Sequence, residues 1–208
     1  MSDANPEGST RDRLLAAALR LFAERGYGRT TMGDIEEAAG FTRRGGILYH
    51  YFASKAAVLE AALARHIDAV ADIGGLARLL PLPDRHSELV VLANWLLGEL
   101  DRQRDLVRFV EKEGEHLAEM RDRLSHNLVD AGYRWTADYG RTLLPESDWD
   151  LEALAVLFVG SLVNYRRTAW TFGRPPLDLP EDRLLSVWTR LARQVLDTAA
   201  VPADEGRR

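Results

Sequence analysis

The sequence predicts an all-α fold, with a short N-terminal three-helix domain followed by a bundle of longer helices. Three observations carry this. Apolar residues recur at three- and four-residue spacing along most of the chain, and no useful run alternates with the two-residue period of a strand. Punctuation is uneven: six of the sixteen glycines lie between Gly26 and Gly46, and Pro6 is the only proline before residue 81. The first part therefore reads as short helices joined by glycine turns, and the rest as longer helices separated by proline loops. Finally, 208 residues, 46% apolar and 28% charged, suffice for one large core or two small ones.

The first helix runs from about Arg11 to Arg25. Leu14, Ala18 and Phe22 form one i,i+4 row with Leu15 and Leu19 beside it, and Gly26 follows as a C-cap. The second runs from Thr31 or Met32 to Ala39. Thr31 is its N-cap, Asp34 places negative charge in the first turn, and Ile35, Ala38 and Ala39 face inward until Gly40 stops it. A third helix follows Thr42 and ends near Tyr51 or Phe52, with Leu48 and Phe52 as its core pair. Ser54 caps a fourth, on which Val58, Leu59, Ala62 and Leu63 repeat at helical spacing.

Beyond Gly74 and Gly75 the helices lengthen. Pro81 to Pro83 is a loop, and Glu88 to about Leu100 is apolar on most sides. Leu117, Met120, Leu124, Leu128, Ala131, Trp135, Tyr139 and Leu143 hold one stripe until Pro145. Leu151, Leu154, Phe158, Leu162, Tyr165, Ala169 and Phe172 make another, ended by Gly173. The last helix starts near Pro180. It carries two stripes, Leu184, Trp188, Leu191, Val195 and Leu185, Ala192, Leu196, where one would dock it on its own domain. Residues 201–208 read as a disordered tail.

Several classes are set aside. With no cysteine there is no disulfide scaffold, thiolate zinc site or catalytic thiol, which fits a reducing compartment, and a cytoplasmic location is expected. The polar N-terminus has no signal-like apolar core. The uncharged run Ala153–Tyr165 is thirteen residues, short of the roughly 20 that a membrane span needs. No catalytic residues, metal site or cofactor are expected. Glu113 and His116 have the Glu-x-x-His spacing of di-iron bundles, but a bundle site needs two copies and only one is present.

The net charge of −5 conceals a division. Gly8 to Arg65 holds nine basic residues against six acidic, and Gly40 to Lys55 holds basic residues with no acid. Three short helices with a glycine turn before the third make a helix-turn-helix unit, which holds a short helix proud of the surface for the major groove of duplex DNA. Thr31 and Thr42 sit where helix N-termini face phosphate oxygens. Arg43 and Arg44 reach guanine edges or phosphates, and Tyr49, His50 and Tyr51 offer polar groups to bases and backbone. Lys55 can pair with a phosphate.

The pieces LFAERGYGRTT, DI..AAG, LYHYF and SK stand in order over residues 11–63. That stretch resembles the DNA-binding domain of the TetR (tetracycline-repressor) family of bacterial transcription regulators. The resemblance implies a DNA-binding domain over residues 8–70 and an effector-binding and dimerisation domain over 71–200. It implies a homodimer on near-palindromic double-stranded DNA, released by a small-molecule effector, with no membrane partner. The DNA-contacting set is Thr31, Thr42, Arg43, Arg44, Gly46, Tyr49, His50, Tyr51 and Lys55. Effector contacts are expected among Trp95, Phe109, His116, Trp135, Tyr139, Tyr165 and Trp170. The interface is expected at Phe158, Leu162, Leu184, Trp188, Leu191 and Val195. Two readings compete: a helical bundle that no longer binds DNA, and a metal-dependent bundle enzyme.

The chain departs from the family pattern in two places. Phe41 to Ile47 is two residues longer than usual, and Glu36 stands where relatives have a small residue. Two extra residues inside the third helix would rotate it by about 200° and turn Leu48 and Phe52 out of the core. The insertion therefore belongs in the turn, with Gly45 and Gly46 supplying backbone freedom and the helix starting near Gly46 or Ile47. Glu36 then either sits beneath that turn, capping its free N–H groups or pairing with an arginine, or simply points to solvent.

Overall fold

The computed structural model describes residues 9–71, 76, 78, 80–113 and 118–200, and among these every regular element is helical. The helices are α1 (Thr10–Arg25), α2 (Met32–Ala38), α3 (Ile47–Tyr51), α4 (Lys55–Ala71), α5 (Arg85–Arg102), α6 (Arg104–Glu113), α7 (Ala118–Leu124), α8 (Ala131–Leu143), α9 (Leu151–Phe172) and α10 (Glu181–Ala199). No described helix is long and apolar enough to cross a membrane. The expected tail, 201–208, lies outside the described residues.

Two compact units divide the chain, residues 1–72 with 103–125, and 73–102 with 126–208. The first is built on α1. Ser9 caps it, with Asp12 completing a reciprocal capping box, and Leu14, Leu15, Ala18, Leu19 and Phe22 are all buried, as their spacing requires. α1 packs on α2, α4 and α6. α6 belongs here because Leu106 and Phe109 are buried and the Phe109 ring lies 6.2 Å from that of Phe22. Each such side chain contributes about 1.5–3 kcal/mol by leaving water. This unit thus reaches past the boundary expected at residue 70.

In the second unit, Ala93 and Leu97 of α5 and Leu162 of α9 form a buried cluster covered by Leu96, Leu100, Leu184, Leu185 and Trp188. Asp150 caps α9 by accepting the Ala153 N–H at 2.9 Å, and Gly173 ends it at φ 73°. The stripe read from Leu117 to Leu143 is not one regular helix. α7 is followed by a π-type turn, Ser125–Asp130, before α8 begins.

Candidate nucleic-acid interface

The interface is assembled from the α1–α2 turn upward. Gly26 leaves α1 at φ 93°, and its N–H donates to Phe22 O at 3.0 Å. Thr30 is wholly buried and donates its hydroxyl to Gly26 O at 2.9 Å. Glu113 of α6 accepts the Tyr27 N–H at 3.3 Å, and Lys112 donates to Glu24 O at 2.9 Å, where a cation suits the carbonyl end of α1. Lys55 donates to Tyr27 O at 2.8 Å and Thr30 O at 3.0 Å, with its Nζ 4.4 Å from the Tyr27 ring centroid. The lysine expected to meet phosphate is therefore already engaged by two carbonyls of its own chain.

Thr31 caps α2 as expected. Its hydroxyl accepts the Asp34 N–H at 3.2 Å, and Asp34 Oδ2 accepts the Thr31 N–H at 2.9 Å. The Thr31 hydroxyl, then its N–H, then the charges of Arg43 and Arg25 hold the Asp34 carboxyl below its ordinary pKa. At the other end of α2, Arg13 donates to Ala39 O at 2.8 Å and lies 4.9 Å over the Phe41 ring.

α3 begins at Ile47, so the two extra residues lie in the turn. Gly45 N–H donates to Thr42 O at 2.9 Å, which puts Thr42 inside the turn and not at a helix N-terminus. Arg44 at φ 60° and Gly46 at φ 78° take left-handed conformations. Leu48 and Phe52 are buried, and Glu36, 1% exposed, accepts the Leu48 N–H at 3.1 Å. Arg43 is tied back to α2, to Asp34 at 2.8 Å and Glu37 at 3.5 Å.

Facing out from this scaffold are Thr31, Thr42, Arg43, Arg44, Gly46, Tyr49, His50 and Tyr51, all exposed, with Tyr49 at 64%. His50 and Tyr51 meet edge to face at 5.1 Å. Eight of the nine expected contact residues are thus exposed, and Lys55 is half-buried. Sequence reasoning missed Thr30, Arg13 and Glu113. The Glu113 bond joins residues 86 apart, and no local spacing announces it.

The other expected sets are more scattered. Phe109 lies in the first unit's core, where a buried ring beside Phe22 is closed to an effector. Glu113 faces the α1–α2 turn, and His116 lies outside the described residues. In the second unit Trp135 stacks on Tyr139 at 5.5 Å with planes 4° apart. The Tyr139 hydroxyl is buried with no partner in bonding geometry. Its burial and the neighbouring Glu88 carboxylate push its pKa above the ordinary tyrosine value. Glu88 is itself buried, accepting the Leu82 N–H at 2.6 Å and pairing with Arg85 at 2.9 Å. Tyr165 donates to Leu179 O at 2.8 Å, and Trp95 and Trp170 are half-buried.

Of the expected interface residues, Leu162 is wholly buried, Leu184 and Trp188 pack on it, and the Trp188 indole N–H donates to Phe158 O at 3.0 Å. These side chains serve the chain's own core. Leu191 is 51% exposed and Val195 half-buried. The open apolar side chains on α9 and α10 also include Val156, Leu157 and Val187.

Residues 14–62 match the family model described as bacterial regulatory proteins, tetR family. The transcriptional repressor KstR2 of Rhodococcus jostii is 32% identical over 117 residues, 55% of each chain. The transcriptional regulator TtgR of Pseudomonas putida is 46% identical over 54 residues, 26% of this chain and 25% of that one. The matched region spans about half the length of the first of these relatives and about a quarter of the second. Among solved structures, a TetR-like transcriptional regulator from Rhodococcus sp. RHA1 superposes with TM-score 0.64 at 20% identity, over 93% of this chain and 98% of that one. The fatty acid degradation regulator FadR of Bacillus halodurans gives TM-score 0.59 at 17% identity, over 98% and 100% of the two chains.

Proposed function

We propose that the chain, whose residues 14–62 match the tetR family model, is a member of that family and a sequence-specific DNA-binding transcription regulator, a homodimeric repressor released by a small-molecule effector. It is a binding protein and not an enzyme, and it acts in the cytoplasm. One observation carries the reading: Thr31, Arg44, Tyr49, His50 and Tyr51 are exposed on a helix-turn-helix scaffold whose Ile35, Leu48 and Phe52 are buried. Guanidinium, imidazole and phenol groups on one short helix and its turn meet phosphates and base edges in a major groove.

Residues 8–70 bind DNA in this reading, and residues 71–200 hold the effector and the dimer contact. The exposed Val156, Leu157, Val187 and Leu191 offer apolar surface for a two-fold contact through α9 and α10. The stacked Trp135 and Tyr139 support an aromatic or apolar effector in this reading. Two recognition helices must lie about 34–36 Å apart to enter successive major grooves. An effector that binds better to a dimer of another spacing draws the population off DNA, with no catalytic step.

Selection of duplexes from a randomised pool by the purified full chain tests the reading. Enrichment of near-palindromic sites supports it. Retention of no duplex at moderate salt favours a bundle that no longer binds DNA.

A further inference from the structure

α3 is five residues long, and its N-cap, Gly46, has no side chain to satisfy the free N–H groups of the first turn. A carboxylate from another helix does this instead: Glu36 of α2, 1% exposed, accepts the Leu48 N–H at 3.1 Å. The same face of α2 holds the rest of the enlarged turn. Gly33, one helical turn before Glu36, is buried, and a Cβ there would lie 3.2 Å from Arg43 Cγ and 3.3 Å from Arg44 Cγ. Phe41 N–H donates to the Glu36 carbonyl at 2.8 Å, and Arg43 reaches Asp34 and Glu37. Every one of these restraints on the turn comes from α2.

We propose that Glu36 is a positioning residue for DNA recognition. Through the Leu48 N–H it fixes the rotation and depth of α3, and together with Gly33 and the Thr42–Gly46 turn it forms one specificity-determining module. The module presents Arg44 from outside α3. Arg44 takes φ 60°, its stem crosses Gly33, and no ion pair is described for it, whereas Arg43 is neutralised by α2. Glu36 touches no DNA itself. It acts by keeping Tyr49, His50 and Tyr51 on the outward side while Leu48 stays buried. A buried carboxylate beneath a short turn would clash or lie unpaired, and a long turn above a small residue would leave the Leu48 N–H without an acceptor, so the two features are expected to work only as a pair.

The inference rests on the DNA-binding reading for its effect on specificity, but its structural half is testable without DNA. In the full chain, Glu36→Ala should speed hydrogen exchange at the Leu48 amide by about tenfold or more, and Glu36→Gln, which keeps an acceptor oxygen, should not. Unchanged Leu48 exchange in folded Glu36→Ala overturns the positioning role, whatever the protein does with DNA. With duplexes selected by the wild type, the affinity ratio for selected over scrambled duplex should fall about tenfold in Glu36→Ala, with scrambled-duplex affinity held and Glu36→Gln restored towards wild type. An unchanged ratio overturns the specificity role. If Glu36→Ala does not fold, Glu36→Gln decides: a wild-type Leu48 exchange rate and ratio support the proposal, and loss of either overturns it. Deleting Arg44 and Gly45 should destabilise the wild type but rescue Glu36→Ala, and strictly additive melting shifts would show that the two features are not one module.

Discussion

At the scale of single residues, Lys55 has two roles to reconcile. Its place at the start of α4 points to a phosphate, yet its ammonium already bridges the carbonyls of Tyr27 and Thr30. An ammonium offers three donors, so one remains for DNA. Lys55→Ala should therefore lower unfolding free energy by about 1–3 kcal/mol, as two carbonyls lose a charged donor, and also reduce the salt slope of DNA binding by about one. Thermal melting and a salt titration separate the two effects, and an unchanged melting temperature would remove the structural one. Asp34 makes stability depend on pH. Its folded pKa lies below 3.8, so its contribution is present above that pH and fades as the pH falls through the lower folded value. Thr31→Ala removes the largest cause of the shift and should cost about 1 kcal/mol at neutral pH. It should also flatten the acid limb of a pH–stability curve, and an acid limb as steep as wild type would sink this account. Thr31 and Asp34 were legible because a capping box is a three-residue spacing. Glu113 was not, since its partner Tyr27 is brought to it only by the packing of α6 on α1.

For the helices, legibility followed the strength of the stop signals. The α9 stripe, read from Leu151 to Phe172, matches the helix because Asp150 and Gly173 end it chemically. The start of α3 was recovered by a rotation argument: only a looped-out insertion leaves Leu48 and Phe52 buried. α10 was harder. Its two stripes begin at adjacent residues, about 100° apart on a helix, so both fit within one broad buried face. Periodicity cannot say which side remains open. The structure turns Leu184, Leu185 and Trp188 inward and leaves Val187 and Leu191 out. Leu191→Glu should accordingly give monomers that melt near the wild-type temperature, seen by sedimentation at micromolar concentration. Leu162→Ala, at a wholly buried position, should cost about 2–5 kcal/mol whatever the oligomeric state. A wild type that is itself monomeric under these conditions would remove the interface.

The molecule as a whole divides differently from its sequence. The resemblance sets a boundary near residue 70, but residues 103–125 join the N-terminal unit because Leu106 and Phe109 complete its core. A contiguous reading cannot foresee this, since the apolar stripe of α6 is equally compatible with either core. The uneven charge, in contrast, was visible and physical: a +3 balance over Gly8–Arg65 within a chain of net −5 would confine the proposed attraction for DNA to one region of the chain. One such surface is small, and the proposed specificity depends on two held at a fixed separation. Half-sites for a two-fold dimer lie about 10–10.5 base pairs apart, centre to centre. Inserting five base pairs between the half-sites of a selected duplex turns one of them by roughly 180° about the helix axis and moves it about 17 Å away. Only one protomer can then dock, so binding should fall to the level of a single half-site. Inserting about ten pairs restores the face but not the distance, and affinity should recover only as far as the dimer can open. Gel-shift titrations at constant salt measure all three duplexes. Equal affinity for the five-pair insertion would mean that the protomers engage DNA independently, and the two-fold mechanism would have to be abandoned.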